Sequence, residues 1–179
     1  KNKIKSVQLC FTTDPFMYGY DEVSSLSISI IKKLNDNAIK CSVLTKGVLP
    51  FELSELSKEN EYGITLVSLS EEFRKAMEPN TAPYIERINA LRALHDAGCK
   101  TWVSIEPYPT PNIIEQDLNP ILETIGFVDK IIFGRMNYNK QVTEYKGHQE
   151  FFNELACQVI AFCNNNSIAY HIKAGTLTK

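Results

Sequence analysis

The feature that most constrains this chain is a repeated switch in its apolar pattern. Short runs with a strand's two-residue period alternate with segments whose apolar residues recur at three and four. Val7, Leu9 and Phe11 form the first run, with Cys10 between them. Val23, Leu26, Ile30 and Leu34 follow at helical spacing, opened by Asp21 and closed by Asn35-Asp36-Asn37. Cys41, Val43 and Leu44 read as a second strand, Phe51 to Leu56 as a short helix after Pro50, and Ile64 to Val67 as a third strand. The second half continues the alternation. Ile85, Ile88, Leu91 and Leu94 predict one face of a helix that Gly98 stops in a left-handed cap. Trp102, Val103 and Ile105 give the next strand, and Ile114, Leu118, Ile121, Leu122 and Ile125 the next helix. Ile131-Ile132-Phe133, a helix through Phe152, Leu155, Val159 and Phe162, and a strand from Ile168 to Ile172 complete the pattern.

Strands alternating with helices build βαβ units and a parallel sheet. At 179 residues the chain is short of the ~250 residues of a closed (β/α)8 barrel and has room for about six strands. The expected fold is therefore α/β, a partial, open (β/α)6-type TIM-like barrel spanning residues 1–179 as a single domain. A flat doubly wound sheet is the alternative. The absence of GxGxxG and GxxxxGK[ST] weakens the dinucleotide and P-loop forms of that alternative.

Composition excludes several classes. Hydrophobic residues at 44% and charged residues at 22% are those of a globular protein, not of a disordered or fibrous one. No stretch approaches the length of a membrane span. There is no signal peptide, and Lys1 stands where an initiator Met would, so the sequence reads as trimmed. A net charge of -2 argues against nucleic-acid binding by bulk electrostatics. The five cysteines, Cys10, Cys41, Cys99, Cys157 and Cys163, form no CxxC pair. Most of them read as small buried hydrophobes in a reducing compartment, which points to the cytoplasm.

Polar clusters follow the strands: Thr12-Thr13-Asp14-Pro15, Thr45-Lys46-Gly47, Ser68-Leu69-Ser70, Glu106-Pro107-Tyr108 and Gly134-Arg135-Met136-Asn137. In parallel α/β folds the carboxyl ends of the strands converge on one mouth, where ligands sit. Strand starts carry ordinary surface residues, among them Lys3, Lys5, Lys40, Lys100 and Lys130. Each cluster also has a plainer reading. Asp14-Pro15 is compatible with a turn, Lys46 with a solvated loop and Ser70 with a helix cap. Glu106 resists that treatment, because a carboxylate leaving a buried strand needs a partner or a function. Tyr18, Tyr20, Tyr108 and Tyr138 fall on the expected rim, as stacking surfaces or as loop packing. His95, His148 and His171 lack ligand spacing and read as structural.

The ordered set Thr13-Asp14-Pro15-Phe16, Thr45-Lys46-Gly47, Met77-Glu78-Pro79 with Pro83 and Glu86-Arg87, then Ala97-Gly98 leading to Val103-Ser104-Ile105-Glu106-Pro107, resembles the radical SAM proteins of the spore photoproduct lyase-like group, often labelled DNA repair photolyases. The likeness runs from about Val7 to Gly134. It implies a partial barrel holding S-adenosylmethionine against a [4Fe-4S] cluster, whose reductive chemistry yields methionine and a hydrogen-abstracting 5′-deoxyadenosyl radical. It places the methionine ammonium at Thr13 and Asp14, the carboxylate at Lys46, the ribose at Ser68 and Glu106, and the adenine edge near Phe133 and Gly134. Glu78 and Arg87 match the pattern as cofactor contacts or, preferably, as an ion pair with each other. The family's CxxxCxxC loop has no counterpart here, and the strand ending in Thr13-Asp14 corresponds to the family's second. The first βα unit is thus expected to be missing and the chain as given to be inactive, with neither cofactor bound. Dimerisation through an exposed sheet edge is expected as well.

Two other functions compete. Lys46 at a strand end could form a Schiff base with Glu106 as general acid or base, as in an aldolase, and Asp14 with Glu106 could form a glycosidase pair. A non-catalytic scaffold is the reading from another class.

Overall fold

A computed structural model describes residues 4–9, 12–137 and 139–178. Lys3, Cys10, Phe11 and Tyr138, and the expectations attached to them, lie outside the described residues. The strands are β1 (Ser6–Gln8), β2 (Lys40–Thr45), β3 (Glu61–Thr65), β4 (Lys100–Tyr108), β5 (Lys130–Arg135) and β6 (Ala169–Ile172). The helices are α1 (Asp21–Asn35), α2 (Glu71–Met77), α3 (Tyr84–Asp96), α4 (Asn119–Thr124), α5 (Lys140–Glu144) and α6 (His148–Asn166), with a 3-10 turn over Phe51–Glu55. All strand pairs are parallel, and the spatial order is β1-β2-β3-β4-β5-β6.

That order decides between the two expected architectures. Right-handed crossovers that always step in the same direction put every helix on the same face of the sheet. A doubly wound sheet needs the order to reverse at a switch point, and here it never does. The sheet is an open half-barrel with its helices outside and its concave face uncovered by them. Side chains alternate accordingly. Val43, Ile64, Val103, Ile105, Ile131 and Phe133 are buried against the helices, each contributing about 1.5–3 kcal/mol of burial. Their neighbours Gly63, Thr65, Trp102, Ser104 and Ile132 look into the concavity.

The helices follow their sequence signals at the ends more closely than along the faces. Asp21 and Glu22 open α1 and Lys32 and Lys33 close it, in the sense its dipole favours. Its buried stripe is Ser27, Ile28 and Ile31, while Leu26 is 61% exposed and Ile30 also faces out. In α3 the buried set is Tyr84, Arg87, Ile88, Leu91 and Leu94, and Ile85 is exposed. Both expected faces were chosen by hydrophobicity, and in both a polar residue holds a buried place. Gly98 has φ +77°, as the left-handed stop requires. The expected helix from Ile114 forms only over Asn119–Thr124. Pro120 has no N–H for the carbonyl four residues earlier and its ring clashes with it, so a helix from Ile114 cannot run through it, and Gln116 instead donates to the Val67 carbonyl at 2.8 Å. Among the described residues no helix is long and apolar enough to cross a membrane.

Candidate active site

The Thr45-Lys46-Gly47 segment explains how the first two strand ends are joined. The Asp14 carboxylate accepts from the Phe16 N–H at 2.9 Å, the Lys46 N–H at 2.7 Å and the Thr45 hydroxyl. Thr45 Oγ1 in turn accepts from the Gly47 N–H at 2.8 Å. Gly47 is required because the β1 loop passes over it: a Cβ there would stand 1.7 Å from the Phe16 carbonyl oxygen. Threonine latches, glycine gives way, and the lysine between them points onward.

Lys46 is the second element. Its ammonium lies 2.6 Å from Glu78 Oε1, and Glu78 Oε2 lies 3.1 Å from Arg87 Nη1. Arg87, wholly buried, also donates to the carbonyls of Thr65 and Ala82 and to the Thr81 hydroxyl. Burial pulls the Arg87 guanidinium below its ordinary range, and the Glu78 charge opposes that pull. Desolvation pushes the neighbouring Tyr84 phenol well above its ordinary range. The Glu78–Arg87 ion pair preferred from the sequence is present, and Lys46 extends it.

The third element is Glu106. A bulge opposes Glu106 and Pro107 to the single residue Gly134 between the pairs Ile105–Phe133 and Tyr108–Arg135. A Cβ on Gly134 would meet the Glu106 carboxyl carbon at 2.8 Å, so the glycine makes room for the carboxylate. Lys173, just beyond β6, approaches Glu106 Oε2 at 3.4 Å.

These elements border one cavity of about 520 Å³ on the concave face. It is lined by Thr12, Thr13 and Asp14 after β1, by Thr45 and Lys46, by Thr65, by Ser104 and Glu106, and by Lys173. Four of the candidate residues, Thr13, Asp14, Lys46 and Glu106, therefore share it, and Gly134 backs it. Ser68 does not line it. Strand β3 ends at Thr65, two residues earlier than the apolar run through Val67 suggests, so Ser68 falls in the following turn. There it is 1% exposed, accepts from the Ser70 N–H at 3.1 Å and borders a separate depression under the 114–121 segment. Ser70 caps α2 by accepting from the Phe73 N–H. Tyr18 and Tyr20 are exposed, whereas Tyr108 is buried against Phe133.

Several cavity residues escaped the sequence reading, among them Thr65, Ser104 and Lys173. Thr65 and Ser104 were taken as strand interior, and only the pleat shows that they face inward. Lys173 follows the last strand and had no motif to mark it. Trp102 forms part of the floor, its five-membered ring over Gly63, where a Cβ would come within 2.4 Å. Its indole N–H is buried without a partner among the described residues.

Among the described residues no three His, Cys, Asp or Glu side chains converge as a metal site. Cys41, Cys99 and Cys163 are buried, as most of the cysteines were expected to be, and Cys157 is exposed. Burial pushes the Cys163 thiol up to about 11, the opposite of what a thiolate ligand needs.

Comparison with known proteins agrees with this geometry. The family model of the radical SAM superfamily matches residues 2–125. The protein ORF301 of Acidianus two-tailed virus is 28% identical over 127 residues, covering 69% of this chain and 41% of that protein. The chain thus spans less than half the length of that curated relative. Among solved structures, Streptococcus suis SuiB bound to S-adenosylmethionine aligns with a TM-score of 0.62 at 14% identity, over 94% of this chain and 37% of SuiB. Spore photoproduct lyase complexed with dinucleoside spore photoproduct aligns with a TM-score of 0.61 at 12% identity, over 95% of this chain and 61% of the lyase. At those identities the likeness is one of fold.

Proposed function

This chain belongs to the radical SAM superfamily, and from that premise we propose that its concave cavity binds S-adenosylmethionine as part of a radical SAM enzyme with lyase-like chemistry. The reading is carried by the convergence of five strand ends on one cavity of about 520 Å³, a size within the ~300–1,000 Å³ of small-molecule sites. SuiB, bound to the same compound, shares the fold.

The donor set fits the cofactor's methionine end. The Lys46 ammonium supplies a charge-assisted donor for the carboxylate, and the exposed Thr13 hydroxyl an acceptor for the ammonium. Asp14 acts mainly by holding these two in register, since its oxygens already accept three bonds. Thr65 and Ser104 take the ribose-binding part assigned to Ser68 from the sequence, and Glu106, with room made by Gly134, offers a further acceptor beside them.

In this superfamily the bound cofactor, beside a reduced [4Fe-4S] cluster, supplies the 5′-deoxyadenosyl radical. The described residues do not fit such a cluster, and we assign its ligands to another part of the complete protein. The Schiff-base alternative is disfavoured by Glu78, which occupies the Lys46 nitrogen at 2.6 Å, where a nucleophilic amine needs a free lone pair. A glycosidase pair is disfavoured because three of the roughly four acceptor sites of the Asp14 carboxylate are already engaged by Phe16, Thr45 and Lys46.

Trp102 is the only tryptophan of this chain, so the part of the complete protein's emission that is lost in a Trp102→Phe variant reports on the cavity floor. Titrating S-adenosylmethionine into the anaerobically reconstituted complete protein should give a saturable change in that emission. Lys46→Ala should weaken binding by about tenfold or more, the worth of a hydrogen bond to a charged group. No response in emission and no heat of binding would end the reading.

A further inference from the structure

We infer that Glu78 is a positioning residue that fixes the Lys46 ammonium at the cavity wall and thereby makes the site selective for ligands with a carboxylate head. The inference rests on the cofactor-site reading above and adds a residue that does not line the cavity. Lys46 is fixed at three points by the protein itself. Its N–H donates to Asp14 at 2.7 Å, its carbonyl accepts from the Ala82 N–H at 3.0 Å, and its ammonium meets Glu78 at 2.6 Å. A lysine free in solvent loses its rotamer freedom when it binds a ligand, and one already held loses little.

Glu78 would compete with an incoming carboxylate if its charge were unopposed. Arg87 removes that objection, because the guanidinium sits 3.1 Å from Glu78 Oε2 and is itself fixed by Thr65, Thr81 and Ala82. Glu78 and Arg87 together are neutral, and Lys46 leaves the trio a single net positive charge. Among the described residues that ammonium is the only partner of Glu78 Oε1. Glu78 has 4% of its side chain exposed and Lys46 36%, so solvent and ligand reach the lysine and not its anchor. Arg87 also bonds the carbonyl of Thr65, a cavity residue, which ties the lysine's position to the end of β3.

The test compares S-adenosylmethionine with 5′-methylthioadenosine, which keeps the nucleoside thioether and lacks the amino-acid head, by calorimetry on the reconstituted complete protein. Glu78→Asp withdraws the carboxylate by one methylene while keeping a charge opposite Arg87. It should weaken S-adenosylmethionine about fivefold or more and leave methylthioadenosine unchanged, and it should add nothing in a Lys46→Ala background. Glu78→Asp binding S-adenosylmethionine as tightly as wild type, or losing both ligands equally, would overturn the inference. Lys46→Ala retaining the full preference for S-adenosylmethionine would instead overturn the site reading on which it rests. If Glu78→Asp fails to fold, the acylation rate of Lys46 in the unaltered protein decides. A pinned lysine should react about tenfold more slowly than exposed Lys140, and an equal rate would refute the pinning.

Discussion

At the N-terminal end of the half-barrel Glu61 lies between Lys40 at 3.6 Å and Lys130 at 2.9 Å, and Lys100 meets Glu59 at 3.1 Å. At the C-terminal end Glu78 lies between Lys46 and Arg87, and Asp14 between three donors from two loops. The residue types are nearly the same and their use is opposite. The lower pairs tie strand starts together in contact with water, Lys40–Glu61 between adjacent strands and Lys130–Glu61 across β4, where an ion pair is worth about 0–1 kcal/mol. The upper carboxylates are largely withdrawn from water and spend their acceptor capacity on backbone N–H groups and on one buried guanidinium. One end keeps the strands in step. The other aims side chains into a cavity.

The largest expected effect separates the two ends directly. Arg87→Met leaves Glu78 without its buried partner and should cost about 3–5 kcal/mol, read as a fall in the urea midpoint. Lys100→Met at the lower end should cost less than about 1 kcal/mol. Equal losses would erase the distinction. Asp14→Ala should cost about 1.5–3 kcal/mol through the unmade bonds to Phe16, Thr45 and Lys46. Hydrogen exchange should show the loss concentrated in the β1 and β2 loops. Gly47→Ala, which drives a Cβ into the Phe16 carbonyl, should cost about 1–3 kcal/mol and loosen the same loops while leaving the lower rim protected.

The smallest effect belongs to Glu61 and depends on pH. The hydrogen bond from Lys130, more than the charges of Lys130 and Lys40, holds the Glu61 carboxyl below the usual carboxylate range. A depressed folded value means that its contribution is fully present above the ordinary unfolded value of about 4.3 and is lost as pH falls through the folded one. Glu61→Gln should therefore be slightly less stable than wild type at neutral pH, by under about 1 kcal/mol. The two proteins should converge in acid, and a gap that widens there would contradict the assignment.

Much of this was legible in the sequence. The alternation of period, the helix signals at Asp21, Ser70 and Gly98, and the placement of polar clusters after strands all depend on local chemistry, and the fold retains them. The misreadings share one cause. Leu26, Ile30 and Ile85 were placed on the core faces because they are apolar, and Arg87, expected only as the partner of Glu78, lies on the buried face of its helix. Hydrophobicity alone cannot show that a guanidinium deep in the fold has four partners. Ser68 was misplaced relative to the cavity because Leu66 and Val67 extend the apolar run beyond the end of the hydrogen-bonded strand.

The sequence by itself determined the order of elements, the parallel sheet and the rim on which Thr13, Asp14, Lys46 and Glu106 emerge, because a strand's end and a helix's cap are written within a few residues. Only the tertiary structure decided that the helices all lie on one face, that Thr65 and Ser104 turn inward, and that Lys46 is held by a glutamate 32 positions away and Glu106 met by a lysine 67 positions away. Those outcomes depend on crossover direction, pleat and the pairing of buried charges, which are properties of segments brought together and not of any segment alone.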